Sequence, residues 1–180
     1  TQVAAFDPKN RYTRTFNAFV QDEIQLTQSV RFTLGSKIEH NSYTGFEFQP
    51  NARVLWEVNE RNSFWGALSR SVQVPPRAFT DVRIDFLAAP GNNQQGLPTL
   101  FSRLGSKNIG SEKVYAFEVG YRSQLVDSFT LDTTVFYNYY DNLISNETSI
   151  GLETQPAPAH ILVAGIVDNK MTASTYGAEV

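Results

Sequence analysis

Apolar and polar residues alternate with a period of two along much of the chain, and the clearest stretch runs from residue 113 to 139. Over 113–123, Tyr115, Phe117, Val119 and Tyr121 occupy one set of alternate positions, and Ala116, Glu118, Gly120 and Arg122 the other. A strand turns successive side chains to opposite sides, so this spacing predicts a strand with one apolar and one polar face. After a turn over 125–128 the pattern resumes, with Phe129, Leu131, Thr133, Val135, Tyr137 and Tyr139 set against Thr130, Asp132, Thr134, Phe136 and Asn138. The prediction is one long, two-faced hairpin.

Two further pairs follow the same rule. Residues 12–27 and 29–40 form one; in its second strand Val30, Phe32, Leu34 and Ile38 oppose Arg31, Thr33, Lys37 and Glu39. Residues 46–58 and 63–74 form the other, turning at Asn59-Glu-Arg-Asn62, whose side chains suit a turn. In 63–74 the phase stays open, because Phe64/Gly66/Leu68 and Trp65/Ala67/Ser69 both read as outward faces. Residues 172–180 begin a seventh strand, with Tyr176, Ala178 and Val180 on one side and Gly177 and Glu179 on the other. Each pair is closed by a short turn and separated from the next by a longer connection. Residues 74–112, with Pro75-Pro76, Pro90-Gly91, Asn92 to Gly96 and Leu97-Pro98, read as one long loop, and residues 141–171, with Pro156 and Pro158, as another.

Strand length decides between water and membrane. The predicted strands hold about 10 to 13 residues, whereas soluble sheets favour about 5 or 6 and a tilted crossing of a bilayer takes about 9 to 11. Aromatic residues at 13% fit the girdles of membrane barrels. A mean hydropathy of -0.30 is compatible, because half of each strand is polar. The longest apolar run, 161–167, is far short of the roughly 20 residues that a membrane helix needs. The fold class expected is all-β: an antiparallel transmembrane β-barrel segment of about seven long strands. Seven strands cannot close by themselves in lipid, where an open edge has no partners. The chain, which opens at Thr1 and stops within a strand, therefore reads as an excerpt of a larger barrel.

Charge and motifs exclude several functions. A net charge of -3 and pI near 5.4 offer no basic surface for nucleic acid. With no cysteine there is neither a disulfide framework nor thiolate chemistry. Gly-x-Ser-x-Gly, a phosphate-binding glycine loop and His-Glu-x-x-His are all missing from the sequence. Asp81, Asp85 and Asp141 lack calcium-loop spacing. The expectation is no catalytic residue, no metal and no cofactor.

The segments FVQDEIQLT (19–27), LGSKIEH (34–40), QPNARVLW (49–56), WGALSRSV (65–72) followed by PPR (75–77), SEKVYAFEVGYR (111–122), VFYNYYDNLI (135–144) and YGAEV (176–180) appear in that order. Together this ordered set resembles the middle barrel strands of TonB-dependent outer-membrane receptors. The resemblance implies part of a barrel of about 22 strands, occluded by the receptor's own plug domain. It also implies uptake of a scarce nutrient, an iron–siderophore complex first among metal chelates, energised through the TonB complex. Outer-membrane lipid would be the further partner. The competing expectation is a soluble or surface β-sheet binding module without transport activity.

Glu118, Arg122, Asp132, Asn138 and Glu179 oppose the apolar stripes and are expected to face the lumen, where the plain reading is a solvated wall. Glu118 and Arg122 share a face and are candidates to pair across strands, a structural role. Arg70, Arg77, Arg83 and Arg103 lie at a strand end or in the long connection after it, and a guanidinium fork suits anionic ligands. Tyr139, Tyr140 and Asn142 end another strand at the outer side. These seven are the candidate ligand contacts, set against a girdle role for the tyrosines and solvation for the arginines.

Overall fold

The computed structural model describes residues 3–91, 96–155 and 157–180. Residues 92–95 and Pro156, placed by the sequence reading in its two long loops, lie outside the described residues. Among the described residues ten strands form: β1 (Val3–Phe6), β2 (Thr15–Gln25), β3 (Val30–Asn41), β4 (Gly45–Asn59), β5 (Asn62–Gln73), β6 (Val82–Ala89), β7 (Thr99–Leu104), β8 (Glu112–Val126), β9 (Phe129–Glu153) and β10 (His160–Glu179). One short helical turn, α1 (Arg77–Thr80), precedes β6. The chain divides into two compact units, and β9 and β10 contribute to both.

The wall unit comprises Arg14–Gln73, Glu112–Leu143 and Thr172–Val180. Here β2, β3, β4, β5, β8 and β9 pair antiparallel in that order. Two-residue turns at 60–61 and 127–128 close β4–β5 and β8–β9. Side chains set the turns: Asn59 Oδ1 accepts from the Arg61 amide at 3.0 Å between β4 and β5, and Thr27 Oγ1 accepts from the Val30 amide at 3.0 Å between β2 and β3. The connection from β3 to β4, expected to be long, is a three-residue turn over 42–44. Asn41 shortens it by accepting from the amides of Tyr43 and Thr44, each at 2.9 Å, while Gly45 takes the positive φ of 76° that leads into β4.

Register sorts the wall into faces. Trp56, Phe64 and Tyr121 lie in one row across β4, β5 and β8; Val54, Gly66, Val119 and Val135 follow, then Ala52, Leu68, Phe117 and Tyr137. The open phase of β5 is thereby resolved, with Phe64, Gly66 and Leu68 on the apolar side and Trp65, Ala67 and Ser69 on the polar one. No residue of this unit is among the buried hydrophobics, whereas Val119 and Val135 are 62% and 60% exposed. A soluble sheet would turn this face inward to a core. Turned outward, it matches the lipid-facing band of a membrane barrel.

The second unit comprises Thr1–Thr13, Val74–Ser111 and Ile144–Met171. It corrects the expectation of two strandless loops and of about seven strands. β6 and β7 form a hairpin within 74–112, and β1 pairs with β6. Residues 141–171 are mostly strand: β9 runs on to Glu153 and β10 begins at His160. β7 pairs with β10 in parallel, an exception to the antiparallel expectation. The prolines misled because Pro75, Pro76, Pro90, Pro98 and Pro158 lie outside the strands, where they withhold no donor from the ladder. Buried Ile109, Ala164 and Val167 give this unit a small core of its own.

Candidate functional site

On the polar face of the wall, register brings the expected lumen residues together. Arg122 stands opposite Asp132, and its Nε donates to Asp132 Oδ2 at 2.9 Å. The expected pairing across strands is thus made by Arg122, with Asp132 of β9 as its partner. Asn138 Nδ2 reaches Thr175 Oγ1 at 3.3 Å. Glu179 lines a hollow with Arg53, Trp65, Arg122, Asp132 and Thr134. Glu118 lines a neighbouring cavity of about 530 Å³ with Glu23, Arg31, Asn51, Arg53 and Ser69. Arg31 and Glu23 lie 3.5 Å apart there. Sequence reasoning passed over Arg53, although its place between Val54 and Ala52 already set it on the polar side. Trp65 lies against Gly120, where an added Cβ would come within 2.2 Å of the indole nitrogen.

Arg70 and Tyr139 are on the other face. Arg70 is paired in register with Tyr115, which is itself opposite Tyr139, the two rings lying 6.4 Å apart. The Arg70 guanidinium donates to the Phe48 carbonyl and lies 3.8 Å from Glu47. Tyr140, one residue on from Tyr139, belongs to the polar face opposite Val114. Asn142 adopts a positive φ of 57° within β9.

In the second unit Arg11, Arg77 and Arg83 are committed to carboxylates. Arg83 forks onto Glu153 through Nη1 and Nη2 at 2.9 and 2.8 Å, and its Nε donates to Asp85 at 3.0 Å. Ser102 Oγ donates to Asp85 at 2.6 Å, and the buried His160 sets Nε2 3.0 Å from Glu153 and Nδ1 2.9 Å from the Pro158 carbonyl. The Arg83 fork holds the Glu153 carboxyl down to about 2 against the opposing effect of burial, with His160 adding to it. Arg77 donates to the carbonyls of Pro8 and Lys9, sits 4.6 Å over the Phe6 ring and reaches Asp81 at 3.3 Å. Asp81, with its side chain fully buried, also meets Arg11 at 2.7 Å and Lys107 at 2.8 Å. Burial pushes its carboxyl up, but Lys107 and Arg11 together hold it below the usual range. Arg103 lies 5.8 Å from the Phe79 ring centroid. Among the described residues no acidic or histidine cluster could hold a metal ion.

An outward apolar face, a polar inner face and long strands joined by two-residue turns meet their counterpart in one comparison. Residues 2–180 match the model of the "TonB dependent receptor-like, beta-barrel" family. The chain belongs to this family of TonB-dependent receptor β-barrels. The family resides in the outer membrane and comprises transport receptors, so the receptor segment described here is an outer-membrane wall and not a soluble module. Among curated proteins compared by sequence, none matches. Solved structures share its fold: the siderophore receptor PirA of Acinetobacter baumannii (19% identity, TM-score 0.73, 92% of this chain and 25% of that one). A ferric enterobactin receptor (PfeA) variant of Pseudomonas aeruginosa in complex with enterobactin is similar (19%, 0.74, 93% and 24%). So is PirA of Pseudomonas aeruginosa (18%, 0.65, 93% and 30%). The receptor segment spans about a quarter of the length of most of these chains.

Within this receptor segment, the cluster around Glu153 and the one around Asp81 were invisible in the sequence. Glu153 lies 70 residues from Arg83, and only the pairing of strands brings them together.

Proposed function

We propose that the chain is part of the wall of an outer-membrane receptor that imports an iron–siderophore complex, with a plug domain supplied by the same receptor and energy supplied through TonB. The family match over residues 2–180 carries this reading. Similarity in fold to siderophore and ferric enterobactin receptors supports the cargo class. The polar face lends itself to a plug or a passing solute, because Glu118, Arg122, Asp132, Asn138 and Glu179 line it with charged and polar groups. The reading assigns no catalytic residue.

Arg77 and Arg83 serve chiefly to fix their unit through Asp81, Asp85 and Glu153, and Arg70 and Tyr139 belong to the lipid side. Arg103 and Tyr140 therefore remain the better candidates for cargo contact, each within its own unit. The test is uptake of radioactive iron by cells carrying the full receptor, offered purified ferric siderophores one at a time. Uptake of at least one complex that disappears when the receptor or the TonB complex is deleted is the expected outcome. Uptake indifferent to both deletions would overturn the proposal.

A further inference from the structure

The ladder between β4 and β5 stops short of the ends of its strands. Its last pair on that side is Asn51 with Ser69, although β4 stays paired with β3 as far as Gly45 and β5 with β8 as far as Gln73. The same register carried on would set Pro50, Phe48 and Glu47 opposite Arg70, Val72 and Gln73. Pro50 is the cause of the break. Successive residues of a strand send their backbone groups to alternate neighbours, and the Glu57 amide, which donates to the Ser29 carbonyl at the start of β3, places the odd-numbered residues of β4 on the β3 side. Pro50 therefore turns to β5 and has no N–H to give it, while its pairing with Ser36 of β3 is spared.

Side chains span the gap instead. The Phe48 carbonyl, which would take the Val72 amide, accepts from the Arg70 guanidinium, and the Val72 amide donates to Gln49 Oε1 at 3.4 Å. Arg70 stands on the outward face and Gln49 on the polar one, so the gap is latched from both sides of the sheet. Arg70 also lies 3.8 Å from Glu47, a residue of the polar face, and this ion pair passes between the two strands. At 3.4 and 3.8 Å these contacts are longer than the about 2.9 Å of ladder bonds. The gap is at the end of β5 away from the turn at 60–61, and in bacterial barrels such short turns face the periplasm. We infer that the outer rim of the wall is hinged here: above Asn51 and Ser69, β4 parts from β5 as Arg70 and Gln49 let go, and the mouth widens while the ladder below stays closed. Released at the rim, the Phe48 carbonyl and the Val72 amide turn to the water of the mouth, so opening strands no backbone group in hydrocarbon.

The inference rests on the outer-membrane wall and not on the cargo; heat-modifiable migration on gels reports the folded barrel separately. The experiment is pulsed electron double resonance on the full receptor in phosphatidylcholine nanodiscs, with spin labels on cysteines at outward positions of β2 and β9. Phe16→Cys with Tyr139→Cys reports the rim, and Ile24→Cys with Val135→Cys, in one row below the gap, reports the closed ladder. Each pair spans the five ladders from β2 to β9, about 24 Å at about 4.8 Å apiece. The expected result is a second, longer distance for the rim pair and a single distance for the lower pair. Arg70→Ala and Gln49→Ala each raise the ratio of parted to latched rim about fivefold, the weight of one hydrogen bond. Pro50→Ala supplies the missing donor and lowers that ratio by about as much, and the lower pair is unmoved by all three. A rim distribution indifferent to Pro50→Ala and to the latch variants, or equal broadening of both pairs, overturns the inference. Should Arg70→Ala fail to fold, Gln49→Ala and Pro50→Ala decide.

Discussion

Thr134 and Val135 are neighbours on β9, yet arginine at the two positions is expected to have opposite consequences. Val135 is 60% exposed on the apolar face, level with Val54, Gly66 and Val119. On β8 the Tyr121 row lies two residues from Val119 toward the short turns and the Tyr115 row four residues the other way. At about 3.4 Å per residue and a tilt of about 40°, those rows are roughly 5 and 10 Å away along the membrane normal. Val135 therefore sits well inside the apolar band, where an arginine facing lipid costs about 2–4 kcal/mol. That corresponds to roughly a 30- to 700-fold loss in the folded-to-unfolded ratio. Thr134 stands opposite Gly120 and lines the hollow shared by Asp132 and Glu179, whose carboxylates receive a new cation. Its replacement is expected to change stability by less than about 1 kcal/mol, the scale of an exposed ion pair. Denaturant titration of the full receptor folded into phosphatidylcholine vesicles measures both. Equal losses, or a larger loss for Thr134→Arg, would refute the assignment of faces.

Gly120→Val places a side chain where a Cβ alone would come within 2.2 Å of the Trp65 indole; a loss of about 1–3 kcal/mol is expected from overpacking, with a shift in tryptophan emission. Glu153→Gln removes the carboxylate that Arg83 and His160 share, and amide exchange should quicken in β6 and in β10 near His160 while β8 is unaffected. Because the folded Glu153 carboxyl is depressed to about 2 from 4.5, its contribution is present above about pH 4.5 and fades as pH falls toward 2. On the order of 1–3 kcal/mol is at stake, read as acid-sensitive exchange that Glu153→Gln no longer shows. Asn41→Ala leaves the amides of Tyr43 and Thr44 without their acceptor, for an expected loss of about 1–2 kcal/mol seen as a lower denaturation midpoint.

Where both faces are unambiguous, the sequence shows the strand and its orientation: β8 and β9 up to Tyr139 follow from aromatic and valine residues set against Glu118, Arg122 and Asp132. β5 could not be phased, since Gly66, Ala67 and Ser69 are small on both sides and Trp65 is the large residue on the polar side. Its neighbours supply the answer, through Tyr121 beneath Phe64 and Gly120 beneath Trp65. β6 and β7 escaped because their hairpin lies within a proline- and glycine-rich stretch, β1 because its partner β6 is far along the chain, and the parallel ladder with β10 has no signature in spacing. The candidate site was half legible. Position along a strand sufficed to place Glu118, Arg122, Asp132, Asn138 and Glu179 on one side. The partners of Arg77 and Arg83 depend on contacts between segments far apart in sequence, which no local pattern contains.

The continuous ladders of the wall also govern how such a chain can change in length. Between Lys113 and Gln124, β8 pairs with β9 without interruption, residue by residue. Deleting one residue there would turn every later side chain of the strand around, exposing Arg122 to hydrocarbon and Tyr121 to water. Substitutions can accumulate one at a time along this wall, but single-residue insertions and deletions cannot. Related receptors are therefore expected to differ in length at 42–44, within 74–111 and at 154–159, and to keep the register between Glu112 and Tyr140 intact.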